Sequence, residues 1–108
     1  MPSPVRAFVG IDCGTQSTKA VLVGGERAEI LAVGRAPHEL IARPDGTREQ
    51  EPGWWIEALR RAVAGALRAA GGAVEVAGIG VSGQQHGLVC LGADDRSIRP
   101  AKLWNDTT

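Results

Sequence analysis

The residues with the clearest chemical potential lie between two apolar runs near the N-terminus. Asp12 ends the first run, and Lys19 opens the second. The short stretch between them contains Gly14 and three hydroxyl side chains, those of Thr15, Ser17 and Thr18. Backbone N–H groups, hydroxyls and an ammonium group can surround phosphate oxygens, while a carboxylate can hold Mg²⁺ directly or through waters. This stretch therefore predicts a site for phosphate and a metal ion.

The two apolar runs must position these groups. Residues 8–11 and 20–23 are rich in Val, Ile and Leu and are bounded by glycines, which predicts two β-strands. The segment between them is too short for a helix, so the strands should pair as a hairpin with the polar residues at its tip. A plain β-turn is the alternative, because Asp and Gly are good turn formers. This stretch is not a Walker A loop, because no GxxxxGK(S/T) is present, and it is not a dinucleotide fingerprint, because no GxGxxG precedes a helix.

Length and composition limit the classes of protein. A chain of 108 residues is at most one small domain or part of a larger one. Its 12 basic and 12 acidic residues cancel, so no charge pattern for nucleic acid or an anionic membrane is present. No apolar run approaches the roughly 20 residues of a membrane span, and the N-terminus lacks the pattern of a secretory signal. Two cysteines without a CxxC motif favour a reducing compartment, and we expect a cytoplasmic protein.

The remaining pattern predicts further elements in the order β-β-β-α-β-β. A third strand is expected over 28–36, a polar surface loop over 37–51, and an amphipathic helix from Pro52 to the Gly71-Gly72 pair. A strand over 76–82 is apolar on both sides, which is typical of a strand covered on both faces. A short strand over 88–91 and a turn over 92–96 follow. The predicted inward stripe of the helix comprises Trp55, Ile56, Leu59, Ala62, Val63, Ala66, Leu67 and Ala70.

This order predicts an α/β fold with a mixed sheet. A hairpin-led meander followed by a helix and a returning strand is the opening of a ribonuclease H-like (actin-like ATPase) domain. Such a domain needs at least one more strand and helix to cover its sheet, so residues 1–108 are expected to be an incomplete, truncated N-terminal part.

Two further polar clusters are candidate sugar-binding groups. Gln84-Gln85-His86 lies between two glycines at the carboxyl end of the strand over 76–82, where ligand groups gather in open α/β sheets. His86 could instead only satisfy a backbone carbonyl. Trp104-Asn105-Asp106 offers an indole face beside an amide and a carboxylate, although an aromatic core plug followed by a helix cap is the alternative. Cys13, Cys90 and Trp55 are expected in the core, His38 has no identified partner, and no zinc-ligand spacing occurs.

Four segments in this order resemble the FGGY family of carbohydrate kinases, and within it most closely the members that act on xylulose. They are Gly10 to Lys19 at the hairpin, Glu51 to Trp55 at the helix entry, Gly83 to Gly87, and Leu103 to Asp106. Together they span nearly the whole chain at spacings similar to those of the family, which is far more specific than any single segment.

The resemblance implies ATP-dependent phosphorylation of D-xylulose to D-xylulose 5-phosphate, with Mg²⁺ as cofactor. It implies that Asp12 supports the metal and the phosphates, and it allows a homodimer of the full-length protein. It assigns the ATP phosphates to Gly14, Thr15, Gln16, Ser17 and Lys19, and the sugar to Gln85, His86, Trp104, Asn105 and Asp106.

The sequence departs from the family in two respects. Gln85 stands where many of the xylulose-specific members have Met, which leaves other FGGY substrates open, namely ribulose, gluconate and glycerol. The family's general base is an aspartate far downstream, and its adenine pocket belongs to a second domain; neither is in this chain. We therefore expect the isolated chain to be inactive, and a non-catalytic ligand-binding chain of actin-like fold remains the rival interpretation.

Overall fold

The computed structural model describes residues 4–108 as one α-helix and seven β-strands in two sheets. The larger sheet has the strand order β3-β2-β1-β6, and the smaller has the order β4-β5-β7. The helix, α1, follows β5. The elements are β1 Val5–Cys13, β2 Ser17–Gly24, β3 Ile30–Pro37, β4 Ile41–Ala42, β5 Arg48–Gln50, α1 Pro52–Ala70, β6 Val74–Gly83 and β7 Ala101–Lys102.

The predicted hairpin is confirmed by the antiparallel pairing of β1 and β2. β3 extends the meander as expected, and β6 returns parallel to β1, so the sheet is mixed. The third strand begins at Ile30 rather than Ala28, which has a left-handed φ of 53° in the preceding turn. Ile30 is 67% exposed, whereas Ala32, Gly34 and Ala36 are buried, and the register of β2 and β3 is irregular after Leu22.

The helix has its predicted bounds, but its inward face is narrower and made of smaller residues than expected. Ala58, Ala62 and Ala66 are its buried residues, and α1 lies on β2 and β3. Ile56 and Leu67, which were predicted to face inward, are 53% and 37% exposed. Small side chains face the sheet because the helix backbone lies close to it at Gly34. Within residues 4–108, α1 does not combine the length and apolar character required of a membrane-spanning helix.

Two predictions about connecting segments are wrong. The segment 37–51 is not only a surface loop, since it contains β4 and β5, and Thr47, Glu49 and Gln50 are buried. The polar side chains of β5 gave no apolar pattern from which a strand could be predicted. The backbone of β5 pairs with β4 on one edge and with β7 on the other. The predicted strand over 88–91 is absent from the described residues, where only isolated bridges from Leu88 and Leu91 form. The observed order is therefore β-β-β-β-β-α-β-β, with two more strands before α1 than were predicted and with β7 as the last strand.

The prediction that the strand over 76–82 is covered on both faces is wrong for the described chain. β6 lies at the edge of the larger sheet, and Ile79 and Val81 are 66% and 65% exposed. Both residues are apolar, as expected for a covered strand, but α1 covers β2 and β3 rather than β6. That residues 1–108 are an incomplete domain stays a prediction. Residues 1–3 lie outside the described residues.

Candidate functional site

Four polar side chains form a row across the larger sheet at the carboxyl end of β1. Asp12 pairs in register with Lys19 on β2 and with Ser82 on β6, and Lys19 pairs in turn with Arg35 on β3. Register partners point to the same face, and the adjacent residues Ile11 and Ala20 are buried beneath α1, so the row lies on the open face. The Ser82 hydroxyl donates to Asp12 Oδ1 at 3.3 Å. A carboxylate thus lies between a hydroxyl and two cations.

The turn between β1 and β2 is closed by its own backbone and tied to two distant segments. The Gly14 N–H donates to Ser17 O at 3.0 Å, so this amide closes the turn. The Thr15 hydroxyl donates to Gln84 Oε1 at 3.0 Å and accepts from Trp104 Nε1 at 3.2 Å. We call residues 14–17 the phosphate turn.

The phosphate turn borders a cleft of about 460 Å³ together with three members of the polar row, Asp12, Lys19 and Arg35. Most of the lining residues were predicted as site residues, and they come from the hairpin and from the C-terminal segment. Arg35 and Leu40 also line it and were not predicted, because only strand pairing places β3 beside Lys19. The lining residues are Asp12, Gly14, Thr15, Gln16, Ser17, Lys19, Arg35, Leu40, Trp104 and Asn105.

Thr18 does not take part in this cleft, which corrects the expectation that its hydroxyl lies at the tip with the others. Its side chain is fully buried, because strand alternation turns it away from the face that carries Lys19. Its hydroxyl lies 2.6 Å from Nε2 of His38, so His38 does have a partner. The His38 backbone N–H also donates to Gln16 O at 2.8 Å, which holds the end of β3 against the phosphate turn.

The predicted sugar-binding loop lies beside the cleft rather than in it. Gln84 and His86 line a neighbouring cavity of about 310 Å³, and Gln84 is the residue that contacts the phosphate turn. His86 is exposed with a left-handed φ of 59°. Gln85 is exposed and lines neither cavity. The structure brings Gln84 to the predicted phosphate residues, while Gln85 and His86 face outward.

The three residues 104–106 differ in surroundings. Trp104 is 58% exposed at the cleft, so it is not a core plug. Asn105 Oδ1 is buried and has no hydrogen-bond partner among the described residues.

The side chain of Asp106 is almost fully buried, and its hydrogen bonds are all to other residues of the chain. Its carboxylate accepts from the Arg48 N–H at 2.9 Å, from Lys102 Nζ at 3.1 Å, and from the hydroxyl and N–H of Thr108. These bonds, that of the Thr108 hydroxyl first, hold the pKa of Asp106 well below its ordinary value. The same effect from Thr47 lowers the pKa of Asp45. In this structure Asp106 fastens the C-terminal segment to β5.

The donor set of the cleft fits Mg²⁺ better than zinc. Residues 4–108 contain no cluster of three His, Cys, Asp or Glu side chains with metal-binding geometry. Asp12 is the one carboxylate among the described cleft residues, and the Ser82 hydroxyl lies next to it. Mg²⁺ is commonly held by one or two carboxylates, with waters and substrate phosphates as its other ligands. Asp12 beside Lys19 and Arg35 suits such a shared arrangement with a polyphosphate.

Comparison with known proteins gives the same family from sequence and from structure. The chain is 50% identical over 105 residues to the xylulose kinase of Haemophilus influenzae, a match covering 93% of this chain and 21% of that protein. It is 46% identical over 97 residues to a xylulose kinase sequence of Arthrobacter, covering 90% of this chain and 91% of that sequence. The crystal structure of xylulose kinase from Rhodospirillum rubrum superposes with a TM-score of 0.87 at 30% identity, over 95% of this chain and 21% of that one.

The chain spans about a fifth of the length of the Haemophilus and Rhodospirillum proteins. The expected α/β class with an actin-like ATPase fold is confirmed. The model of the FGGY family of carbohydrate kinases, N-terminal domain, matches residues 7–108. With that match, and with close relatives in sequence and structure, the chain belongs to the FGGY family of carbohydrate kinases.

Proposed function

We propose that this chain forms the phosphate-binding part and a portion of the sugar-binding part of an ATP-dependent kinase. In the full-length protein it phosphorylates D-xylulose to D-xylulose 5-phosphate. The observation that carries the proposal is the single cleft in which Asp12, the phosphate turn and Lys19 meet Trp104 and Asn105. The similarity to xylulose kinases supports the choice of sugar.

The roles of the residues follow from the charges of the reaction. Phosphoryl transfer is catalysed mainly by positioning and by neutralising charge on phosphate oxygens. Lys19 and Arg35, adjacent on β2 and β3, supply two positive charges to the polyphosphate. The Ser17 hydroxyl, the Gln16 side-chain amide and the backbone N–H of Thr15 can donate to it, since the Thr15 hydroxyl already donates to Gln84. Asp12 would hold Mg²⁺, and the bound ion would neutralise charge on the phosphate oxygens.

The sugar is held by groups on the other side of the cleft. The exposed indole of Trp104 offers an apolar face for sugar C–H groups, and Asn105 lines the same cleft beside it. His86 adds a group from the neighbouring cavity, and Gln85 precedes it on the same exposed loop. Asp106 contributes by holding the segment that carries Trp104 and Asn105.

Other features of the full-length protein are part of the same proposal. The group that removes the proton from the sugar hydroxyl, and the adenine pocket, belong to parts of the protein beyond these 108 residues. The reaction takes place in the cytoplasm, which the two free cysteines of the described chain support, and a homodimer is compatible with the proposal.

The substrate is tested with a panel of sugars. We expect the purified full-length protein, with ATP and Mg²⁺, to have a higher kcat/KM for D-xylulose than for ribulose, gluconate or glycerol, measured by coupled ADP release. A preference for one of the other three substrates would assign the protein a different substrate within the FGGY family. Absence of turnover with every sugar would support the rival, a ligand-binding chain without catalysis.

The role of Asp12 is tested with an isosteric substitution. Asp12→Asn removes the charge that holds the metal, and we expect kcat/KM to fall by about 100-fold or more. Asp95→Asn is the matched control: Asp95 is exposed, does not line the cleft, and has a left-handed φ of 63° that Asn also tolerates. Activity of Asp12→Asn equal to that of the control would refute the assigned role.

A further inference from the structure

Gln50 is a fully buried amide whose hydrogen bonds all reach other segments of the chain. Its Nε2 donates to Thr15 O at 2.7 Å and to Glu39 O at 2.8 Å. Its Oε1 accepts from Trp55 Nε1 at 2.8 Å and from Gln84 Nε2 at 3.2 Å. The side chain is completely shielded from solvent. One residue of β5 thus joins the phosphate turn, the start of α1 and the end of β6.

These four bonds use the whole capacity of the amide. A primary amide has two N–H donors and an oxygen with two acceptor positions, and each has one partner here. The orientation follows from the chemistry of the partners: the indole N–H of Trp55 can only donate, and the carbonyls of Thr15 and Glu39 can only accept. No other standard side chain of this length offers two donors and two acceptors in this arrangement.

The Gln50 side chain also links the two predicted binding regions, namely the phosphate turn and the loop that carries Gln85 and His86. Gln84 donates to Gln50 and accepts from the Thr15 hydroxyl, so Thr15 is held by its backbone carbonyl and by its side chain. Gln84 immediately precedes Gln85 and His86. The position of the phosphate turn relative to the sugar-binding loop therefore depends on the pair of amides.

We propose that Gln50 is a positioning residue that holds the phosphate turn in register with the Gln84 end of β6. It does not line the cleft, so it acts through Thr15 and Gln84 rather than by contact with substrate. The kinetic part of this proposal rests on the proposed kinase function. Displacement of a reacting group by about 1 Å can cost about 100-fold in rate, so a buried residue of this kind has a kinetic signature.

The test uses two variants of the full-length protein. Gln50→Met keeps the length of the side chain and removes all four hydrogen bonds. Gln50→Glu keeps the acceptors for Trp55 and Gln84 but places carboxylate oxygen against the carbonyls of Thr15 and Glu39. We expect both variants to lower kcat by roughly 10- to 100-fold while the KM for the sugar changes by less than about threefold.

Hydrogen exchange followed by mass spectrometry separates positioning from general destabilisation. In Gln50→Met, peptides covering 13–18 should exchange faster than in the wild type, while peptides from α1 keep their exchange rates. The matched control is Glu49→Gln. Glu49 is adjacent on β5 and is also buried, but its carboxylate pairs with Arg99 and not with the turn. The control should keep the wild-type kcat and the wild-type exchange of 13–18.

Each result decides the proposal. Unchanged exchange over 13–18, or equal acceleration in the turn and α1, would overturn it. So would a Gln50→Met variant with wild-type kcat in an active enzyme. If the wild-type protein phosphorylates no sugar, the proposed function fails separately, and exchange over 13–18 alone then supports or overturns the role of Gln50.

Discussion

Asp106 and Asp12 are two carboxylates that differ in exposure and in the number of hydrogen bonds they accept. Asp106 accepts hydrogen bonds from Arg48, Lys102 and Thr108, and its side chain is 4% exposed. Asp12 is exposed at the open face, and a bond of 3.3 Å from Ser82 is the one side-chain bond it makes among the described residues. A carboxylate whose acceptor positions are filled has little capacity left for a ligand, whereas Asp12 retains most of its capacity.

The depressed pKa of Asp106 predicts a loss of stability in acid. Because the folded state binds this proton more weakly than the unfolded chain, the contribution of Asp106 is fully present above the unfolded pKa of about 3.9. It is lost as the pH falls from there through the folded pKa. We expect the free energy of unfolding of Asp106→Asn to depend less on pH than that of the wild type, measured by urea denaturation between about pH 6 and pH 2.

Asp95→Asn serves as the control for this prediction, because Asp95 is exposed and takes no part in the hydrogen bonds of Asp106. It should retain the acid dependence of the wild type. Wild-type and Asp106→Asn curves that run parallel over the acid range would contradict the prediction. Asp45, whose pKa is also lowered, contributes in the same direction and is unchanged in both proteins.

At the scale of elements, close packing of α1 on β3 determines where the cleft lies. Gly34 lies under the helix, and a Cβ added there would be 1.9 Å from Ala62 O and 2.7 Å from Ala66 N. Those atoms belong to the helix backbone, so the contact cannot be relieved by moving a side chain. Arg35 follows on the opposite face and reaches the cleft. The absence of a side chain at Gly34 therefore allows the helix to support the strand that carries Arg35.

We expect Gly34→Ala to lower the free energy of unfolding by about 3 kcal/mol, because the added methyl group overpacks this contact. Chemical denaturation of the full-length protein, with exchange of α1 peptides, measures the effect. Gly80→Ala is the matched control, since a Cβ on Gly80 would meet nothing within 4 Å. A Gly34→Ala variant as stable as the control would show that the helix lies farther from the sheet than the structure indicates.

At the scale of the whole molecule, residues from both ends of the chain form the cleft. Apolar residues of β6, at one edge of the larger sheet, are exposed. Trp104 bonds to Thr15 across 89 positions of sequence, while Ile79 and Val81 on β6 are about two-thirds exposed. The xylulose kinases of Haemophilus influenzae and Rhodospirillum rubrum, to which the chain is similar, are about five times longer. The proposed kinase reaction therefore needs groups that these 108 residues do not supply.

We expect the isolated 108-residue chain to show no ATP-dependent phosphorylation of D-xylulose, because the proposed proton-accepting group is not in it. A coupled assay for ADP release, with the full-length protein as positive control, measures this. Turnover by the isolated chain above the background of an Asp12→Asn version of it would show that these residues suffice for catalysis.

The sequence by itself determined the parts that depend on local pattern. Two runs rich in Val, Ile and Leu with a short polar segment between them predicted the hairpin. Pro52 and Gly71 predicted the ends of the helix, where Gly71 has the left-handed φ of 70° that favours glycine. The residues of the phosphate turn were also predicted, since residues adjacent in a tight turn must lie together.

Only the tertiary structure decided which distant residues join them. Arg35 reaches the cleft through the register of β2 and β3, and Gln50 is buried by strands and a turn that are far apart in sequence. The inward stripe of α1 was mispredicted at Ile56 because helical periodicity identifies an apolar face but not the distance to its neighbour. Hydrogen bonds that span 69 residues, such as that from Thr15 to Gln84, leave no local pattern, because their geometry exists only after the strands have paired.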